Sequence, residues 1–256
     1  MNINRFQGKV ALVTGGNSGI GRAASIGFGR EGARVVIAAR RENLGLQVAD
    51  EITKSGGEAV FVRTDVTRPE EIAALFKSIM DKYGRLDCAV NNAGVSSPSL
   101  RRFINTTMED WDWTMNTNLK GVWLCMQHEI RQMLAQGGGA IVNTASMAGI
   151  ATEIGMAIYC ASKHGVMGLT KAAALEYAHK NIRVNAVCPG FIHTPMLEEP
   201  WQTNPQLKDM TLSQVPMGRF GKPEDIAGAI LWLCSEEASY MTGREMVIGG
   251  GKTLRA

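Results

Sequence analysis

Short, almost uniformly apolar runs alternate with longer segments of helical period along the whole chain, and few architectures accommodate that order. The runs lie at 10–14, 35–39, 59–64, 86–91, 140–144, 184–188 and 246–248; the helical segments lie near 20–30, 42–55, 69–83, 109–136, 157–179 and 223–235. A strand with one wet face alternates polar and apolar residues, whereas a strand covered on both faces stays apolar throughout. Such strands separated by helices imply a parallel sheet with helices on both faces and right-handed crossovers. Arg68-Pro69-Glu70-Glu71 and Lys222-Pro223-Glu224-Asp225 place proline and acids in first turns, as helix starts do. With no repeat, linker or low-complexity tract, residues 1–256 are expected to form one α/β domain. Only 191–221 breaks the rhythm, with Pro195, Pro200, Pro205, Pro216 and Trp201. A connection of that length is expected to be a lid over a substrate site.

Composition narrows the function classes. A net charge of +3, from 27 Lys+Arg against 24 Asp+Glu, gives no footprint for nucleic acid or a membrane surface. No apolar stretch approaches the ~18 residues of a membrane span, and the polar start at residues 1–7 does not resemble a signal peptide. A cytoplasmic protein is therefore expected. Cys88, Cys125, Cys160, Cys188 and Cys234 are odd in number, scattered and free of metal-ligand spacing. They are expected to be small buried side chains in a reducing compartment, with no metal site. His128, His164 and His179 read as structural; His193 borders a segment that could face substrate.

Thr14-Gly15-Gly16-Asn17-Ser18-Gly19-Ile20-Gly21 follows the first strand and opens a helix. Glycines there allow a tight turn and a close approach of backbone N–H groups to a pyrophosphate, and the helix N-terminus favours an anion. After the second strand comes Ala39-Arg40-Arg41. An acid at that point would bind the adenosine ribose hydroxyls of NAD, whereas arginine suits the 2′-phosphate of NADP with its planar fork of donors. NADP(H) is therefore favoured, on Arg40 and Arg41, and NAD(H) is the alternative. Asp65-Val66 lies where the adenine should fall; Asp65 is read either as an acceptor for the adenine amino group or as a helix cap.

The sharpest pattern is Tyr159-Cys160-Ala161-Ser162-Lys163. On a helix Tyr159 and Lys163 share a face, ~40° apart in projection. A phenol with an ordinary pKa of ~10 exchanges protons poorly at neutral pH, and keeping it ionised there takes about 4 kcal/mol. A nearby ammonium and a cationic nicotinamide both act in that direction.

Together these stretches resemble the short-chain dehydrogenase/reductase family. The resemblance rests on the turn at 14–21, Asn91-Asn92-Ala93-Gly94, Asn118, Ser146, Tyr159-x-x-x-Lys163, Pro189-Gly190-Phe191-Ile192-His193-Thr194 and the glycine-rich close at 246–251. They stand in the family's order and cover nearly the whole chain. The resemblance implies a single-domain Rossmann-like three-layer α/β sandwich, its sheet of about seven strands in the order 3-2-1-4-5-6-7. It implies Tyr159 as general acid and base, Lys163 lowering its pKa and holding the nicotinamide ribose, and Ser146 bonding the substrate oxygen. Asn118 would position a water in a proton relay through Lys163. Gly15, Asn17, Ser18, Gly19, Ile20 and Gly21 would hold the pyrophosphate. Asn92, Ala93 and Gly94 would stiffen the sheet beside the adenosine, and Pro189, Ile192 and Thr194 would place the carboxamide. It also implies a homotetramer packed through 109–136, 157–179 and the last strand.

The reading is an NADP(H)-dependent oxidoreductase interconverting a ketone or aldehyde with an alcohol. The alternatives are an NAD-dependent alcohol or sugar dehydrogenase of the same fold and, more remotely, a non-catalytic dinucleotide sensor. Substrate choice falls to 96–103, 148–156 and the lid. Glu153 either meets a polar substrate group or solvates its loop, and the methionines near the site, among 14 in the chain, either line it or fill the core.

Overall fold

The structure is a computed structural model that describes residues 4–98 and 100–254. Residues 1–3, 99, 255 and 256 lie outside the described part, and with them the start of the polar N-terminal segment, one position of the 96–103 loop and the end of the 1–256 span.

Strands β1 Val10–Thr14, β2 Arg34–Ala39, β3 Glu58–Arg63, β4 Cys88–Asn91, β5 Gly139–Thr144, β6 Ile182–Pro189 and β7 Glu245–Ile248 form one sheet. Its order is β3-β2-β1-β4-β5-β6-β7, and every pairing is parallel. Helices α1 Gly19–Arg30, α2 Glu42–Lys54, α3 Pro69–Tyr83, α4 Met108–Met115, α5 Gly121–Gln136, α6 Ala157–Tyr177, α7 Pro195–Thr203, α8 Gln206–Ser213 and α9 Pro223–Cys234 follow in chain order.

Each strand feeds two cores, because successive side chains point to opposite faces. Val10 and Leu12 of β1 join α3, α5 and α6, while Ala11 and Val13 join α1, α2 and α9. This is why β1 carries no polar residue before Thr14: its first four side chains are buried on one face or the other.

The sequence differs from the structure in two places, and both concern the site. The segment expected as one helix over 109–136 is interrupted. A capping box starts α4, with Thr107 Oγ1 accepting from the Asp110 amide at 3.2 Å and Asp110 Oδ2 from the Thr107 amide at 3.1 Å. The chain then widens into a π turn, Asn116–Lys120, before α5. Asn118 in this turn is fully buried and clasps Val95: its Oδ1 accepts from the Val95 amide at 2.8 Å and its Nδ2 donates to the Val95 carbonyl at 2.9 Å. Single π turns in α-helices are concentrated at functional sites.

The segment 191–221, expected to be a lid, is the second difference. It holds two short helices, α7 and α8, in a stretch whose prolines break the helical pattern. Pro195 takes the first helical position, where the missing N–H costs nothing, and Pro205 precedes α8. Pro200, inside α7, hides the helical pattern. Neither helix buries a residue. Trp201 holds α7 to the lid's roots, 5.0 Å from the Phe220 ring and 6.1 Å from that of His193.

Candidate active site

The C-terminal ends of β1, β4, β5 and β6 converge, as they must where ligands bind to a doubly wound sheet. At the end of β1, Gly15 has a φ of +64° and the chain doubles back into α1. A Cβ on Gly21 would lie 2.3 Å from the Gly15 carbonyl oxygen and 2.5 Å from Asn92 Nδ2, so backbone and side chain fill the space a methyl would need. Asn92 is the brace: its Nδ2 donates to the carbonyls of Thr14 and Gly15 at 3.2 and 3.3 Å. Thr14 Oγ1 accepts from the amides of Asn92 and Ala93 at 3.0 and 3.1 Å.

Helix α1 starts at Gly19 with no side-chain cap from Ser18 and no acid in its first turn. Ile20 follows in that turn, and a Cβ on Gly19 would lie 3.1 Å from Thr194 Cγ2, so the glycine turn meets the segment after β6. A bare helix N-terminus beside glycines that a Cβ would block fits the pyrophosphate of a dinucleotide.

The adenosine-side residues gather here too. Asn17 Nδ2 donates to the Arg41 carbonyl at 3.2 Å, and Arg41 donates to Ser18 Oγ at 2.8 Å. Arg40 is exposed, with its guanidinium 5.9 Å from the Trp113 ring centroid. Asp65 does not cap α3, whose N-cap is Arg68; it holds the turn before the helix, its Oδ1 accepting from the Thr67 amide and hydroxyl at 2.9 and 2.8 Å. Burial raises its carboxyl, but those two bonds, with Arg40 and Arg68 nearby, bring it below the ordinary value. Val66 is buried, its carbonyl 2.9 Å from where a Cβ on Gly121 would sit.

On the catalytic side, Lys163 is buried with its ammonium donating to the Thr144 carbonyl at 2.9 Å and lying 5.7 Å from the Tyr159 ring centroid. Asn118 Nδ2 also reaches Ser162 Oγ at 3.4 Å, and Ser162 Oγ donates to the Tyr159 carbonyl at 2.7 Å. A Cβ on Gly94 would stand 3.3 Å from Asn118 Oδ1 and 3.7 Å from Lys163 Nζ. Ser146 Oγ accepts from the Ala148 amide at 3.1 Å.

Burial pushes the Tyr159 phenol up and the neighbouring Ser146 hydroxyl pulls it back. The sequence expectation named Lys163 as what lowers the phenol; in this structure the lowering comes from Ser146, and the net direction is upward. Burial brings Lys163 down to about 8, since its charged form has little solvent.

Pro189 closes β6 in full burial, and Ile192 bridges to Gly221 across the lid's base. His193, read as a residue that could face substrate, pairs with Glu198 at 2.6 Å and remains half-exposed. His128 stacks on Phe76 at 4.9 Å, and His164 Nδ1 meets the Cys160 carbonyl at 2.9 Å, both structural roles.

Sequence reasoning missed Thr144 and Val95, which act through backbone groups and leave no trace in residue type. Trp113, whose place beside an acid at a helix start reads as packing, is half-exposed under the Arg40 guanidinium. Among the described residues, no group of three His, Cys, Asp or Glu side chains could hold a metal ion, and no helix is long and apolar enough to cross a membrane.

Comparison with known proteins agrees with this geometry. The family described as enoyl-(acyl carrier protein) reductase matches residues 15–253. A 3-oxoacyl-(acyl-carrier-protein) reductase of Thermotoga maritima is 44% identical over 251 residues, spanning 98% of this chain and 100% of the relative. A cyclohexanol dehydrogenase of Acinetobacter sp. is 39% identical over 257 residues, spanning 98% of each. A solved short-chain type dehydrogenase/reductase from Mycobacterium marinum superposes with a TM-score of 0.92 at 39% identity, over 98% of both chains. A structure from Agrobacterium tumefaciens with bound NADP superposes with a TM-score of 0.89 at 37% identity, over 100% of both. These similarities make the chain an oxidoreductase of alcohol and carbonyl groups that uses a nicotinamide dinucleotide, and they remove the non-catalytic alternative. The chain belongs to the short-chain dehydrogenase/reductase family.

Proposed function

We propose that the protein is an NADP(H)-dependent reductase of apolar ketones and aldehydes, reversible toward the alcohol, with Tyr159 as general acid and base. The observation that carries this reading is the cluster in which Lys163 and Asn118 back the Tyr159 helix turn beside Ser146. The dinucleotide supplies or accepts the hydride. Ser146 and Tyr159 donate to the substrate oxygen, whose negative charge grows toward the transition state, so the pair stabilises that state more than the ground state. A phenol held high by burial stays protonated at neutral pH and is ready to give its proton, which suits reduction. Oxidation needs the phenolate, and Lys163 is the cation this chain brings to it. Asn118, clamped on Val95, positions a water that passes the proton by way of Lys163.

Arg40 supports NADP(H), because its guanidinium is exposed just after β2, next to Ala39, which stands where an NAD enzyme would place an acid. Arg41 assists at Ser18. Exposed apolar side chains in the segments expected to choose the substrate support an apolar one: Phe103 in 96–103, Ile154 in 148–156, and Met210 and Met217 in 191–221, while Met147 packs beside Gly190 and Gly249. The reading includes a cytoplasmic homotetramer. Five buried free cysteines suit a reducing compartment, and exposed Trp123 and Leu175 on α5 and α6 suit burial between subunits.

The test is a panel of apolar ketones and alcohols followed by cofactor absorbance with NADPH and NADH. Saturation by NADPH at lower concentration is expected, with Arg40→Asp reversing the preference by about tenfold or more. Equal or better saturation of the parent by NADH, unchanged in Arg40→Asp, would move the reading to an NAD-dependent dehydrogenase.

A further inference from the structure

Lys252 lies in the chain's closing segment, beyond β7, and no part of the reaction described above uses it. Its side chain is only 13% exposed, an unusual degree of burial for an ammonium without several partners. It has three. It donates to the Glu153 carboxylate, donates to Gln214 Oε1 at 2.7 Å, and lies 4.7 Å from the centroid of the Phe191 ring.

These partners come from separate segments around the substrate site. Glu153 belongs to the loop that turns into the Tyr159 helix, where its carbonyl accepts from the Met156 amide at 3.2 Å. Gln214 closes α8 at the trailing end of the lid, and Phe191 stands at the lid's beginning. The same trailing end is clamped beside Lys252: the Met217 amide donates to the Gly250 carbonyl at 3.1 Å, and a Cβ on Gly250 would lie 2.8 Å from Val215 Cγ1. Helices α7 and α8 bury nothing. The segment is thus tied to the chain's closing residues at its trailing end, while its helices bury no side chain of their own.

We infer that Lys252 is a positioning residue for substrate binding: its ammonium ties the loop leading to Tyr159 to both ends of the lid. Charge-assisted hydrogen bonds are stronger than neutral ones, and in a partly dry site the ion pair is screened little. The half-exposed carboxylate of Glu153 is held by Lys252. The inference rests on the reading of 191–221 as a substrate lid.

The experiment compares Lys252→Met, Lys252→Arg and Glu153→Gln in the full chain. Steady-state kinetics use the ketone the parent reduces fastest; hydrogen–deuterium exchange at 150–156 and 206–217 needs no substrate. Lys252→Met is expected to raise the ketone KM about tenfold, the effect of losing a hydrogen bond to a charged group. Its kcat and NADPH KM should stay near the parent's, and exchange should quicken in both segments. Lys252→Arg should restore KM, and Glu153→Gln should fall between. Parent-like KM and exchange in Lys252→Met would overturn the inference, as would equal losses in the Met and Arg variants. Should Lys252→Met fail to fold, Glu153→Gln decides by the same two readouts. Failure of the ketone panel with quickened exchange in Lys252→Met would sink the reductase reading and leave the tie standing.

Discussion

At the glycine turn, a Cβ added to Gly21 would sit 2.3 Å from a carbonyl oxygen; at Gly218, on the return of 191–221, a Cβ would meet nothing within 4 Å, and only the φ of +68° calls for glycine. The contrast runs through both regions. The turn between β1 and α1 is braced by Asn92 and Thr14 through a set of backbone bonds, while α7 and α8 bury no residue. In the first region the backbone itself fills the available space, so residue types are dictated by it. In the second, side chains of similar size and polarity can replace one another without disturbing the fold, and this freedom is what lets one scaffold take many substrates.

The sharpest way to break that contrast is Gly21→Ala. It should lower stability by about 1–3 kcal/mol, the usual cost of overpacking, and weaken NADPH binding by about tenfold or more. Thermal melting and NADPH fluorescence titration check both, and parent-like values in both would show that the turn is not rigid.

A second effect concerns what lies beneath the two regions. A buried polar chain runs from Thr170 through Asn143 and Asn91 to Glu129, with successive contacts of 2.9, 3.0 and 3.0 Å. Glu129 is fully buried, and burial raises its carboxyl to about 8, with the Asn91 bond only partly opposing. A raised acid is held neutral in the fold, so its contribution is complete below the ordinary carboxylate pKa and is lost as pH rises through about 8. The melting midpoint should therefore fall between pH 5 and pH 8, and Glu129→Gln should flatten that slope. Lys163, lowered to about 8, acts in the opposite sense and only above that pH, and burial lowers His128, which acts in the opposite sense inside the window, so the change of slope on Glu129→Gln, rather than the parent's slope alone, assigns the effect. An identical slope in the variant would remove Glu129 as its cause.

The smallest effect is expected in the lid. Met210→Ala, at an exposed position of α8, should leave stability within about 0.5 kcal/mol of the parent while raising the KM for a bulky apolar ketone a few-fold. A large loss of stability there would mean that the lid is part of the core.

The same contrast explains what could be read from the sequence. All seven strands fall within two residues of the runs read from apolar continuity, and the order 3-2-1-4-5-6-7 holds. Both faces of each inner strand are buried, and that leaves an unmistakable pattern. Tyr159, Lys163, Asn118 and Ser146 come together because a helix, a π turn and a strand end bring them there, and their spacing was visible. What holds them was not: Lys163 leans on the Thr144 carbonyl and Asn118 on the Val95 backbone, and any residue supplies those groups. The π turn was hidden because its residues fit an α-helix equally well. In 191–221 prolines masked two helices, and the tie of Lys252 depends on partners 99 and 38 residues away along the chain.

Single-turnover reduction by Tyr159→Phe, with cofactor affinity measured on the same sample, tests the central claim most directly. Removal of one hydroxyl should leave NADPH binding near the parent's and cut the rate of the chemical step by about 10²–10⁴-fold, the contribution of a positioned general acid. A variant that binds NADPH and still reduces the ketone at the parent's rate would contradict the assignment of the proton to Tyr159.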